Sequence, residues 1–229
     1  MAILEMISPV IPLTWDPGPL PTARHNELLM NYTSTLPRLG EKLIKAPMSQ
    51  PLVQIIKDLI VFSRTAHCVW SEVDKVTAAD EHWLFLRHQA LLYRLLLLRD
   101  LDNREESIRI TTILFLLNAL EYQGTSVPSR STLRHLTVAL IDARFFEDGF
   151  DESILFWCLC TGAMGKDPSS ERDWFHGMLK KFFPHYVCTK ETIREDLERY
   201  LFLAKKQGTQ ISDLIGRLSA TKQTSLGQR

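Results

Sequence analysis

The stretch Gly162-Ala163-Met164-Gly165-Lys166-Asp167 is the part of this chain nearest to a phosphate-binding loop. A P-loop needs four residues between its glycines and Ser or Thr after the lysine. Backbone amides then encircle the phosphates and a hydroxyl holds magnesium. Here two residues separate the glycines and Asp167 follows Lys166, which sets a carboxylate where phosphate would lie. The stretch is expected to be a helix-terminating turn.

Cysteine and histidine are the next candidates. Cys158 and Cys160 are two residues apart, which on a helix is about 200° around the axis, so they cannot share one tetrahedral metal. His185 and Cys188 are close in sequence, but zinc needs two further ligands and no pattern supplies them. Buried apolar cysteine is the default expectation for Cys158, Cys160 and Cys188. No pair of histidines forms HExxH, and no GxSxG elbow is present. His88 faces an apolar stripe and is expected to be a satisfied core histidine rather than a base. Glu147, Asp148, Asp151 and Glu152 cluster without the spacing of a calcium loop. They read as a solvated turn with favourable charge at a helix N-terminus. No catalytic residue, cofactor-binding residue or metal ligand is assigned, and no ligand-binding residue can be named.

Charge narrows the partners. Lys plus Arg is 27 and Asp plus Glu is 27, so the formal net charge is zero. Basic runs stop at two residues, Lys180-Lys181 and Lys205-Lys206. A protein that neutralises many phosphates carries a basic excess somewhere, so direct nucleic-acid binding is not expected. The four cysteines lack CxxC spacing and point to a reducing compartment. Asn31-Tyr32-Thr33 matches the glycosylation acceptor, but nothing else indicates secretion. At the N-terminus, Glu5 and Pro9 interrupt the apolar residues and no Lys or Arg precedes them. A secretory signal is therefore not expected. Leu95–Leu98 and Ile113–Leu117 fall far short of the roughly 20 apolar residues of a membrane span. The chain reads as soluble, with no membrane association.

Behind these residues stands an all-α expectation: one multi-helix globular bundle of about eight helices. Pro9, Pro12, Pro17, Pro19 and Pro21 make residues 1–22 an extended arm, with Ile11, Leu13 and Trp15 against the domain. A single helical domain is expected over 23–218 and a disordered tail over 219–229. Helices are expected near 23–36 and over 49–70, where Leu52, Ile55, Ile56, Leu59, Ser63 and Ala66 share a face. The next, over 78–100, is apolar nearly all round and therefore buried. Asn103, with Glu106 as capping-box partner, is expected to start a central helix over 104–123, closed by Gly124. A helix from Pro128 is expected to bury Leu133, Leu136, Leu140 and Ile141, and another over 151–163 to end at Gly162. After the Asp167-Pro168 cap, Trp174, Phe175, Met178, Leu179 and Phe182 form an inward stripe, and Pro184 stops that helix. The last clear helix spans 190–206, with Gly208 as its stop and a short helix over 209–218.

Three segments are distinctive together: Glu106-Ser107-Ile108-Arg109-Ile110-Thr111-Thr112-Ile113-Leu114-Phe115-Leu116, Ile154-Leu155-Phe156-Trp157-Cys158-Leu159-Cys160-Thr161-Gly162, and Glu171-Arg172-Asp173-Trp174-Phe175. Their succession resembles the all-helical regulatory region of fungal zinc-cluster transcription factors. That family has an aliphatic helix with an acidic-x-x-Arg start, a Leu-rich helix with Trp that ends in paired glycines, and an Arg-x-x-Trp-Phe-like helix start. The resemblance covers roughly residues 78–183. Thr161-Gly162 stands where the family has its two glycines, and the six-cysteine cluster and basic linker have no counterpart. Specific DNA binding is accordingly not carried over.

The resemblance implies a fungal-specific transcription factor domain in the nucleus, with the cytoplasm as the alternative. It would be a non-enzymatic regulatory or interaction module without a DNA-binding module of its own. It would work through a protein partner, a second copy of itself or a small-molecule effector, and without a cofactor. A helical scaffold or dimerisation protein is the rival expectation, and a small-molecule enzyme with a cryptic site the third.

Overall fold

A computed structural model describes residues 17–18, 38–71, 76–119, 126–145, 151–164, 170–184 and 190–224. Every regular element among them is helical: α1 Glu41–Lys45, α2 Gln50–Ser71, α3 Ala78–Leu97, α4 Asn103–Ala119, α5 Ser126–Asp142, α6 Glu152–Ala163, α7 Ser170–Phe182, α8 Lys190–Glu198 and α9 Ala204–Thr224. The chain is an all-α, multi-helix bundle. The expected helix at 23–36 and the Pro-rich arm lie outside the described residues, apart from Pro17 and Gly18. There the Trp83 indole N–H on α3 donates to the Gly18 carbonyl at 3.0 Å.

Two helices form the centre. Ser107 to Leu116 of α4 and Ile154 to Ala163 of α6 are buried without interruption. A helix buried on every side must hide its polar groups within itself. In α4 the hydroxyls of Ser107, Thr111 and Thr112 donate to the carbonyls of Asn103, Ser107 and Ile108, four residues back, at 2.7–2.9 Å. Around this centre, α4 packs against α3, α5, α6 and α9, while α7 packs against α6, α5 and α9. The α2–α3 pair forms one flank, with Leu52, Ile55, Ile56, Leu59, Ser63 and Ala66 inward as their spacing predicts.

Several boundaries differ from the sequence reading. The cap of α4 is Asp102, whose carboxylate accepts the amides of Arg104 and Glu105 at 2.9 and 2.8 Å. Asn103 instead donates to the Asp142 carbonyl at the end of α5, and Glu106 is taken by Arg109. A residue that can reach another helix end serves the tertiary structure rather than its own turn. Helix α3 is not buried all round: Trp83, Leu86, Tyr93 and Leu97 are half-buried and Phe85 is exposed. Ile141 on α5 is 53% exposed, not inward.

The expected helix over 190–206 is two helices. Residues 199–203 link α8 to α9, and Tyr200, Leu201, Phe202 and Leu203 are all buried in that link. Tyr200 and Leu201 continue the spacing of Ile193 and Leu197 on paper, but here the backbone finds partners elsewhere. The Arg199 and Tyr200 carbonyls accept the amides of Lys42 and Gly40 at 3.1 and 2.7 Å. Gly208 stops nothing, because it lies inside α9. That helix continues through Ala220 to Thr224, and 225–229 fall outside the described residues.

Candidate functional site

The phosphate-loop look-alike is a packing device. Gly162 is buried inside α6, which runs on to Ala163. A β-carbon there would fall 2.5 Å from Cδ1 of Phe175, so the glycine allows α7 to approach closely. Gly165, Lys166 and Asp167 lie outside the described residues.

Cys68, Cys158 and Cys160 are buried free thiols. Burial pushes Cys158 up to about 12, against a hydrogen bond with Thr111 that lowers it. Burial likewise raises Cys160, with Asp196 and Cys158 adding to the effect. Thiols held protonated in this way are poor nucleophiles and poor ligands. Cys188 and His185 lie outside the described residues. Among the described residues no group of three or more His, Cys, Asp or Glu is placed to hold a metal ion.

His88 is a core histidine with partners. Its Nε2 lies 3.2 Å from the Leu116 carbonyl, and Gln89 Nε2 lies 3.2 Å from its Nδ1. The consistent assignment is a neutral ring that donates from Nε2 to α4 and accepts at Nδ1. Burial lowers its pKa to about 4, against the Leu116 bond that favours the charged form. The three arginines near the centre are also engaged. Arg94 meets Asp58 of α2 at 2.7 Å, with Arg87 at 4.0 Å from the same carboxylate. Arg109 makes two bonds to Glu106, at 2.6 and 2.7 Å, and a third to the Leu95 carbonyl. In the acidic cluster, Asp151 caps α6 by accepting the Ser153 amide, and Glu152 occupies the first turn. Glu147 and Asp148 lie outside the described residues.

The structure draws attention to residues that apolar spacing had passed over. On α7 the buried face is Arg172, Phe175, His176 and Leu179, while Trp174, Met178 and Phe182 are half-buried. The inward stripe is therefore turned toward two polar residues, Arg172 and His176. Arg172 and His176 are one turn apart and 2% and 7% exposed. Their spacing with Phe175 and Leu179 was a signal, but only a pattern that admits buried polar residues detects it. The His176 ring reaches Asp173 across 4.0 Å at Nδ1, and its Nε2 is buried without a hydrogen-bond partner. Burial lowers its pKa; Arg217, Arg172 and Lys180 lower it further, while Asp173 opposes them.

The same side of the bundle holds other buried polar groups. Gln207 and Gln210 sit on the inward face of α9 with Ile211, Leu214 and Leu218. Gln207 Oε1 accepts the Leu203 amide at 2.9 Å and so closes the first turn of α9. Its Nε2, Gln210 Oε1, Thr161 Oγ1 and Trp157 Nε1 are buried without hydrogen-bond partners. The Tyr200 hydroxyl donates to Ser153 Oγ at 2.6 Å, and Ser153 Oγ in turn donates to Asp151. That chain anchors the α8–α9 link to the cap of α6.

Among the described residues, the histidines, cysteines and carboxylates first considered do not come together at one place. What does come together is a set of basic groups at the α7–α9 seam. No family model, no curated protein and no solved structure matches the chain.

Proposed function

We propose that this chain is a regulatory or interaction domain of transcription-factor type, without a DNA-binding module of its own, that acts in the nucleus through a ligand or a protein partner. One observation supports this reading above others. The three segments that carry the resemblance pack on one another: α4 on α6, and α6 on α7. Thr111 of the first segment hydrogen-bonds Cys158 of the second. Gly162 of the second seats Phe175 of the third. Their charged residues also have structural work, since Arg109 is bound to Glu106 and the Leu95 carbonyl. A transcriptional role then runs through an associated protein. Tethering the full chain to a heterologous DNA-binding domain tests it. Reporter output should change by several-fold; output equal to that of the DNA-binding domain alone overturns the reading.

A dimerisation module is the second reading. Val138 and Ile141 are 51% and 53% exposed on one face of α5, a position that suits a second copy of the chain. Light scattering with Val138→Glu and Ile141→Glu separates the two: a dimer that dissociates favours this reading, and a monomer in both forms removes it.

A further inference from the structure

We propose that α5 pairs with α5 of a second copy of the chain, antiparallel about a two-fold axis at Val138, so that Arg134 and His135 of each copy meet Asp142 of the other. The inference rests on the dimerisation reading above and gives it a geometry. One face of α5, with Leu133, Leu136 and Leu140, is buried, and the helix packs on α4 and α7. The outward face carries Arg134, His135, Val138, Ile141 and Asp142, all exposed. Val138 and Ile141 are 51% and 53% exposed, more than any other large apolar side chain among the described residues.

The order of charges on this face selects the partner and its direction. Arg134 stands four residues before Val138, and Asp142 four after it, so all three share one side of the helix. A two-fold axis at Val138 sets position 134 of one copy against position 142 of the other. It does so twice, because contacts across such an axis are reciprocal. Ile141 then lies beside the Arg134 stem of the other copy, whose methylene groups cover apolar surface. Parallel pairing would instead set Arg134 on Arg134 and Asp142 on Asp142, and like charges at that range repel. The helix by itself gains nothing from this order. It has no acid in its first turn and no base in its last, and Asp142 ends it where the helix dipole is negative. A helix running the other way brings Arg134 and His135 to that end.

One face of a 17-residue helix is small beside the roughly 1,200–2,000 Å² of a stable complex, so the association is weak and depends on concentration. Sedimentation equilibrium of the full chain over about a hundredfold range of concentration measures it. Arg134→Asp and Asp142→Arg should each weaken the dimer about tenfold, because two pairs turn from attraction to repulsion at once. Both substitutions in one chain should restore the wild-type association, which parallel pairing would not do. Both positions are exposed, so circular dichroism should show the helix content unchanged. A wild type that stays monomeric removes the dimerisation reading and this geometry with it. A dimer that the single reversals leave intact, or that the double variant fails to restore, overturns the antiparallel pairing and leaves the dimerisation reading standing.

Discussion

The indole of Trp157 on α6 and the phenol ring of Tyr200 in the α8–α9 link lie stacked, with centroids 5.6 Å apart and planes 11° from parallel. Both residues are 1% exposed or less, so the stack fastens the last third of the chain to the central helix. Trp157→Ala should cost roughly 3–5 kcal/mol. Tyr200→Phe keeps the stack and loses only the Ser153 bond, at about 1 kcal/mol. Urea unfolding of the two variants measures both. Equal losses would mean that the hydroxyl, not the ring, holds the link.

Gly162→Ala should destabilise the fold even though alanine favours helix. The propensity gain is about 1 kcal/mol. Against it stands a β-carbon 2.5 Å from a fully buried ring, and overpacking of this kind costs roughly 1–3 kcal/mol. Phe175→Leu frees space, so the double variant should lose less than the sum of the singles. Additive losses in thermal melts would show that the two side chains do not compete for one volume.

Acid should act through His88. Its pKa falls from 6.5 in the unfolded chain to about 4 in the fold, so folding requires the neutral ring. The stability it supplies is complete above pH 6.5 and declines as pH falls through 4. Over that interval the contribution approaches about 3 kcal/mol. His88→Gln should be less stable at neutral pH but should show a shallower loss between pH 6.5 and 4. Chemical denaturation at stepped pH gives the two slopes, and parallel slopes would exclude His88 as the group responsible. Because His176 is also lowered, the difference between wild type and variant is the quantity to read.

The isolated chain should not bind DNA specifically. Zero net charge supplies no long-range attraction to phosphate, and readout needs side chains free to reach base edges. Arg94 and Arg109 are held by Asp58 and Glu106. A titration on random and genomic duplexes at about 150 mM salt should show weak binding without preference. Nanomolar affinity for one site, with discrimination against random sequence, would restore a DNA-binding role to the chain itself.

Apolar periodicity made the central architecture readable. It located α2, α3, α4 and α6, and it marked α4 as central because Ile108 to Leu116 leave no polar face. It was misleading where the chain uses apolar residues outside a helix. Tyr200 and Leu201 fit the helical stripe of Ile193 and Leu197, yet the carbonyls of Arg199 and Tyr200 turn aside to meet the amides of Lys42 and Gly40. Such a bond between distant segments leaves no trace in local spacing. Caps misled for a related reason, since Asp102 and Asn103 are both good capping residues and only the contact with Asp142 separates them. At the α7–α9 seam the reverse holds: Arg172 and His176 look like surface residues until the facing helix covers them. Composition says which side chains can be charged, not which charges the packing encloses.

The bonds from Gly40 and Lys42 to Tyr200 and Arg199 join positions about 160 residues apart. During synthesis at roughly 5–20 residues per second, the amides of α1 wait on the order of 10–30 s before their acceptors emerge. Helices α2 to α6 can assemble in that time, because their contacts lie close in sequence and form quickly. Until then the Gly40 and Lys42 amides stay open to solvent, chaperones and proteases. A ribosome stalled just before Arg199 would carry a nascent chain whose middle is protected and whose segment around Gly40 to Lys45 is still open to cleavage.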